Sequence, residues 1–228
     1  MNIAAAGVEE RLAIIRGHIA AACERSGRDP ASVILIGAAK TMPLARVKNA
    51  LAAGLTDIGE NAVQEARTTK DALAGDAATA TWHLIGHLQT NKVRDALALF
   101  DVIHSVDSLR LAQHMSERAA NTVRVLLEVN VAAEASKFGF RPAEVAAAVA
   151  GIASFPHLDL EGLMTVAPAT PDPEQVRPVF RTLRELGVAN GLRELSMGMT
   201  DDFEVAIEEG ATMVRIGRAL FGERPAKQ

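Results

Sequence analysis

A chain of 228 residues, 49% hydrophobic and 23% charged, is long enough to bury a large core as one globular domain. Its formal net charge of −4, with Lys and Arg scattered instead of run together, gives no electrostatic footprint for nucleic acid. A lone cysteine, Cys23, excludes an internal disulfide and a cysteine metal cluster; with charged Glu9, Glu10 and Arg11 near the start and no membrane-length apolar run, the expectation is a cytoplasmic protein.

Val8, Leu12, Ile15 and Ile19 recur at helical spacing, which predicts a leading helix from about Gly7 to Ser26, ended by Gly27. Short apolar runs then alternate with alanine-rich segments of helical period. Predicted strand Val33–Ala38 precedes predicted helix Pro43–Ala53, Thr56–Gly59 precedes Ala62–Ala74, and Trp82–Gly86 precedes Asn91–Phe100. Val102–Val106 and Leu109–Ala120 follow, then Arg124–Val131 and Pro142–Ser154. Leu160–Val166 with Glu174–Leu186, Glu194–Met197 with Asp201–Glu209, and a last strand Met213–Gly217 complete the series. Eight such strands predict an α/β fold, a single (β/α)8 TIM-type barrel over residues 1–228 with an extra N-terminal helix. The open doubly wound sheet is the alternative, and its G-x-G-x-x-G fingerprint is missing.

Barrels of this kind place their sites at the C-terminal ends of the strands, which directs attention to particular residues. Lys40 follows the first predicted strand and is read either as a lysine at the solvent edge or as a desolvated amine poised to attack an aldehyde. In Met213-Val-Arg-Ile-Gly217 the side chains alternate, so Val214 and Ile216 pack under the helices while Arg215 points into the barrel. A buried guanidinium needs an acceptor, either a carboxylate such as Glu60 or Glu128, or a ligand atom. The last two strand ends, Ser196-Met-Gly-Met-Thr200 and Gly217-Arg218, carry the small and hydroxyl residues of a phosphate cup; the plain alternative is a capping box formed by Asp201 and Glu204. His83 and His87 are four apart, but on a strand that is roughly 13 Å, too far for one metal ion. No G-x-S-x-G elbow supports a hydrolase.

This constellation resembles the YggS/PROSC family of pyridoxal-phosphate homeostasis proteins over nearly the whole chain. The matching segments include Ala39-Lys-Thr41, Gly59-Glu-Asn-Ala-Val-Gln-Glu65, Trp82-His-Leu-Ile-Gly86, Gln89-Thr-Asn-Lys92, His104-Ser-Val-Asp107, Ser136-Lys137, Gly162-Leu-Met164, Leu195-Ser-Met-Gly-Met-Thr-Asp-Asp202 and Met213-Val-Arg-Ile-Gly217. The resemblance implies a Schiff-base lysine at Lys40, Arg215 facing the pyridine nitrogen, Ser196, Gly198, Thr200 and Gly217 around the phosphate, Asn61 beside the ring, and His83 and Met164 nearby. Ala39, Met42, Ala62, His87 and Arg218 depart from the residues common in relatives, and none removes the lysine, the arginine or the glycines.

Two functions of different classes fit such a barrel. One is a carrier in vitamin B6 homeostasis that delivers pyridoxal 5′-phosphate to apo-enzymes, acting as a monomer; the other is a single-domain amino-acid racemase. Barrel-type alanine racemases, which the fold resembles, add a C-terminal β-domain and use a tyrosine as second base, whereas this chain ends five residues after Glu223 and contains no tyrosine. Arg215 would also leave the pyridine nitrogen unprotonated and the electron sink weak. The expectation is therefore a carrier and not an enzyme. A Schiff-base aldolase or isomerase acting on a sugar phosphate is a third reading, opposed by the family motifs alone. Lys137, after the fifth predicted strand, is read as a solvated loop lysine or as a second amine that receives the aldehyde from Lys40.

Overall fold

The computed structural model describes residues 6–134 and 137–223; Ser136, part of the loop motif above, lies outside the described residues. Eight parallel strands, β1 (Ile34–Ala38), β2 (Asp57–Glu60), β3 (Thr81–Leu84), β4 (Val102–Val106), β5 (Val123–Glu128), β6 (Leu158–Met164), β7 (Glu194–Ser196) and β8 (Met213–Ile216), pair in chain order. The barrel closes where β8 pairs with β1, with Arg215 beside Ile36. The expected (β/α)8 architecture is the one that forms. Around it run α2 (Leu44–Ala52), α3 (Val63–Leu73), α4 (Val93–Leu99), α5 (Leu109–Ser116), α6 (Val145–Ile152), α7 (Arg177–Ala189), α8 (Phe203–Glu208) and the short α9 (Arg218–Phe221), preceded by α1 (Val8–Arg25).

Strand alternation divides the apolar residues into two compartments. Outward side chains such as Ile58, Trp82, Val125, Leu163, Val214 and Ile216 pack under the helices, while Ile36, Val102, Leu126, Met164 and Met213 form a separate plug inside the barrel. The leading helix presents Leu12, Ile15, Ile19, Ala22 and Cys23 as one buried stripe, each large aliphatic contributing about 1.5–3 kcal/mol. Beyond Ser26 the chain turns at Gly27, whose φ of +66° suits a residue without Cβ. Arg28 then donates through Nη1 to the carbonyls of Ile207 and Ala211, both at 2.8 Å, tying the helix to the last turn of α8 and the chain beyond it.

Several expected boundaries shift for local reasons. The fifth strand stops at Glu128 instead of Val131, because Asn130 accepts from the Glu134 amide and donates to the Glu134 carbonyl, turning the chain away from the sheet. The expected helices from Pro142 and Glu174 begin as tight 3-10 turns before α6 and α7. The capping box weighed as the plain alternative does not form: Asp202 is the N-cap of α8 and its Oδ1 accepts from the Met199 amide, while Asp201 pairs with Arg218.

Candidate cofactor site at the barrel mouth

A cavity of about 580 Å³ opens at the C-terminal ends of the strands, a size suited to a small ligand. Lys40, Asn61, Thr200, Arg215 and Gly217 line it, together with Met42, Ile85, Asp201 and Arg218. Five of the nine residues expected from sequence thus share one wall-to-wall space. The remaining four, His83, Met164, Ser196 and Gly198, are outside the lining: Met164 belongs to the inner plug, and His83 and Ser196 are buried in the barrel.

Lys40 is positioned by a turn. The Met42 amide donates to the Ala39 carbonyl at 2.9 Å, which puts Lys40 and Thr41 at the two central positions, and Thr41 has a φ of +57°. A β-branched residue in the left-handed region is strained, and such strain clusters where a site requires it. Among the described residues the Lys40 amine has no hydrogen-bonding or ionic partner.

Arg215 enters from β8 on the inward face, as alternation predicted, and is 4% exposed. It forms an ion pair with neither Glu60 nor Glu128 among the described residues. Its Nη1 donates to Ser196 Oγ at 2.6 Å and its Nη2 to the Thr165 carbonyl at 2.9 Å. Burial pulls the guanidinium down to about 10 against the fields of Asp202 and Glu128, so it remains charged at neutral pH. Glu128 stands at the inward end of β5 with one buried oxygen unpaired. Burial and the charge of Asp107 push its carboxyl up to about 7, opposed by Arg215 and Lys137.

The loop after β7 requires glycine at position 198. Its φ is +90°, and a Cβ there would lie 2.6 Å from Ala206 Cβ and 2.9 Å from Phe203 Cα, so the loop can lie down on α8 only without a side chain. Gly217 leaves its side of the cavity open, and a Cβ there would come within 3.3 Å of the Ala38 carbonyl. Thr200 Oγ1 accepts from the Ala219 amide at 3.4 Å. An amine without a partner, a buried guanidinium and glycine-lined backbone around one cavity fit a small anionic aldehyde.

Beneath the cavity the barrel interior joins two residues expected at the site, His83 and Ser196, to two that the sequence gave no role, Asp57 and His104. His83 Nε2 lies 3.0 Å from Asp57 Oδ1, His83 Nδ1 lies 2.9 Å from His104 Nε2, and His104 Nδ1 lies 2.9 Å from Ser196 Oγ. Alternation in β4 places His104 in phase with inward Val102, which was the available signal. At the rim, Arg218 holds both oxygens of Asp201 at 2.5 and 2.6 Å. Lys137 bonds Glu134 Oε1 at 2.5 Å and the Val166 carbonyl at 3.1 Å, in an adjoining cavity that shares Val166, Met199 and Asp201 with the first. His87 lies past the end of β3, paired with Asp107 at 3.1 Å and stacked on Phe138.

The family model for the alanine racemase N-terminal domain matches residues 12–225. The pyridoxal phosphate homeostasis protein of Pseudomonas aeruginosa is 44% identical over 222 residues, covering 95% of this chain and 96% of that one. The Aquifex aeolicus protein of the same name is 45% identical over 226 residues, covering 94% and 97%. PipY of Synechococcus elongatus, solved with PLP bound, superposes with a TM-score of 0.81 at 35% identity, over 94% of this chain and all of that one. The alanine racemase of Corynebacterium glutamicum shares the fold at a TM-score of 0.67 and 19% identity, with 61% of its chain covered. The chain belongs to the pyridoxal phosphate homeostasis family, within the larger family built on the alanine racemase N-terminal domain.

Proposed function

We propose that this protein binds pyridoxal 5′-phosphate at the barrel mouth as a Schiff base on Lys40, and acts as a cytoplasmic, monomeric carrier that delivers it to apo-enzymes. The observation that carries the proposal is the shared cavity into which the unpartnered Lys40 amine and the buried Arg215 guanidinium both open. PipY, with PLP in its structure, and the homeostasis proteins it resembles support the choice of ligand.

When bound, the cofactor supplies an aldehyde and an electron-withdrawing ring. Lys40 gives the amine that holds the aldehyde. Arg215, a donor that stays charged, would face the ring nitrogen and disfavour its protonation, which suits holding more than carbanion chemistry. Asn61 would lie beside the ring, and Thr200 with the backbone at Gly217 would take the phosphate, while Ser196, Gly198, His83 and Met164, outside the cavity lining, would support the site from behind.

Borohydride reduction of the loaded protein, followed by peptide mass analysis, is expected to find the pyridoxyl group on Lys40, and Lys40→Ala is expected to abolish that adduct. Label on a different lysine, with Lys40 unmodified, would overturn the assignment.

A further inference from the structure

The barrel interior carries an unbroken hydrogen-bonded line from Asp57 through His83, His104 and Ser196 to Arg215, each link 3.0 Å or shorter. His83, His104 and Ser196 are at most 1% exposed. Asp57, the first residue of β2, instead borders a separate cavity at the opposite end of the barrel with Arg16, Ile34 and Thr56. The line therefore joins the mouth to the floor.

Proton bookkeeping fixes its direction. A guanidinium only donates, so Ser196 Oγ accepts from Arg215 and keeps one proton to give. At the far end the Asp57 carboxylate only accepts, so His83 Nε2 carries a proton. Between the histidines sits a single proton. Placed on His83 Nδ1, it makes His83 a buried cation and turns His104 toward Ser196 as a donor, leaving the serine proton without a described acceptor. Placed on His104 Nε2, it leaves both rings neutral, and Ser196 donates to His104 Nδ1. Every donor then has one acceptor, and burial costs least.

We infer that Asp57, His83, His104 and Ser196 are positioning residues: a one-way relay of two neutral Nε2–H histidines that fixes the Arg215 guanidinium under the mouth and balances its charge from the barrel floor. The chemistry around the line agrees. Burial, the repulsion that a proton on His83 would add, and the charges of Arg215 and Arg124 hold His104 well below its ordinary value. Burial alone would raise Asp57, but hydrogen bonds from His83 and Thr56 outweigh it and keep the carboxyl low. The effect on the cofactor rests on the function proposed above; the relay itself does not.

The test has two arms. Nitrogen NMR of cofactor-free protein with labelled histidine, at neutral pH, is expected to show His83 and His104 as neutral rings protonated on Nε2. An imidazolium signal from either, or a proton on Nδ1, would overturn the relay without any variant having to fold. In the second arm, Asp57→Asn keeps an acceptor for His83 and removes the charge. Titrated with pyridoxal phosphate, it is expected to show displaced visible absorbance and at least about fivefold weaker binding, the lower end of couplings between distinct sites. His104→Gln, which cannot reproduce both ring contacts, provides the same readout if Asp57→Asn does not fold. Unchanged absorbance and affinity in a folded variant would overturn the relay's role, whereas failure of the unmutated protein to bind would overturn the proposed function and leave the tautomer result standing.

Discussion

Glu60 shows how burial sets a residue's protonation when no cation is supplied. Its side chain is 1% exposed, Oε1 accepts from Thr69 Oγ1 at 3.0 Å, and Oε2 is buried without a partner. Burial raises the carboxyl to about 7; the Thr69 hydroxyl offsets part of this and the charge of Glu65 adds to it. In an unfolded chain the group titrates at about 4.3. Between those values the native chain keeps a proton that the unfolded chain has released, so stability falls as pH rises and the loss is complete above about 7. Glu60→Gln retains an acceptor for Thr69 and cannot ionise. Its stability relative to the parent is expected to rise by about 2 kcal/mol from pH 5.5 to pH 8, measured by urea unfolding. Any fixed cost of the amide cancels in that comparison, and a flat difference would show that Glu60 ionises as an ordinary carboxylate.

At the scale of elements, the join between β6 and β7 depends on one missing side chain. Gly162 stands opposite Glu194, and a Cβ on it would lie 1.9 Å from the Glu194 carbonyl oxygen, a backbone atom that cannot swing aside. Because β7 has only three residues, any retreat moves Ser196 as well. Gly162→Ala is expected to cost about 3 kcal/mol, seen as a lower denaturant midpoint with an unchanged slope. A loss well under about 1 kcal/mol would show that the strands separate freely. The elements themselves were legible because their signals are local: the stripe of α1 and the alternation of β8 each lie within one segment, and Arg215 was sent inward correctly. Boundaries failed where a side chain diverted the backbone, as Asn130 does after β5. The relay was not legible, since its links join residues 26, 21, 92 and 19 positions apart and depend on how neighbouring strands register. A sequence shows His83 and His104 as inward polar residues and does not say that they meet.

For the molecule as a whole, the barrel is shared with racemases, and the carrier proposed above turns on which groups stand at its mouth. The match to the alanine racemase of Clostridium difficile covers 97% of this chain and 58% of that one at 16% identity, a likeness of fold alone. Inverting an α-carbon takes a base on each face of the substrate and a ring that accepts the electron pair. Here Lys40 stands at one side of the cavity, and the 228 residues contain no tyrosine for the other. The other amine at the mouth, Lys137, is bound to Glu134 and the Val166 carbonyl, and opens on the adjoining cavity. In the proposed site, Arg215 facing the ring nitrogen would further weaken the electron sink that a carboxylate partner would strengthen. Protein loaded with pyridoxal phosphate and incubated with L-alanine is therefore expected to form D-alanine no faster than free cofactor does at the same concentration, followed by an enzyme-coupled D-amino-acid assay. Turnover clearly above that background, lost in Lys40→Ala, would replace the carrier with a racemase whose second base lies among the residues already at the mouth, and Lys137→Ala would then be the next variant to measure.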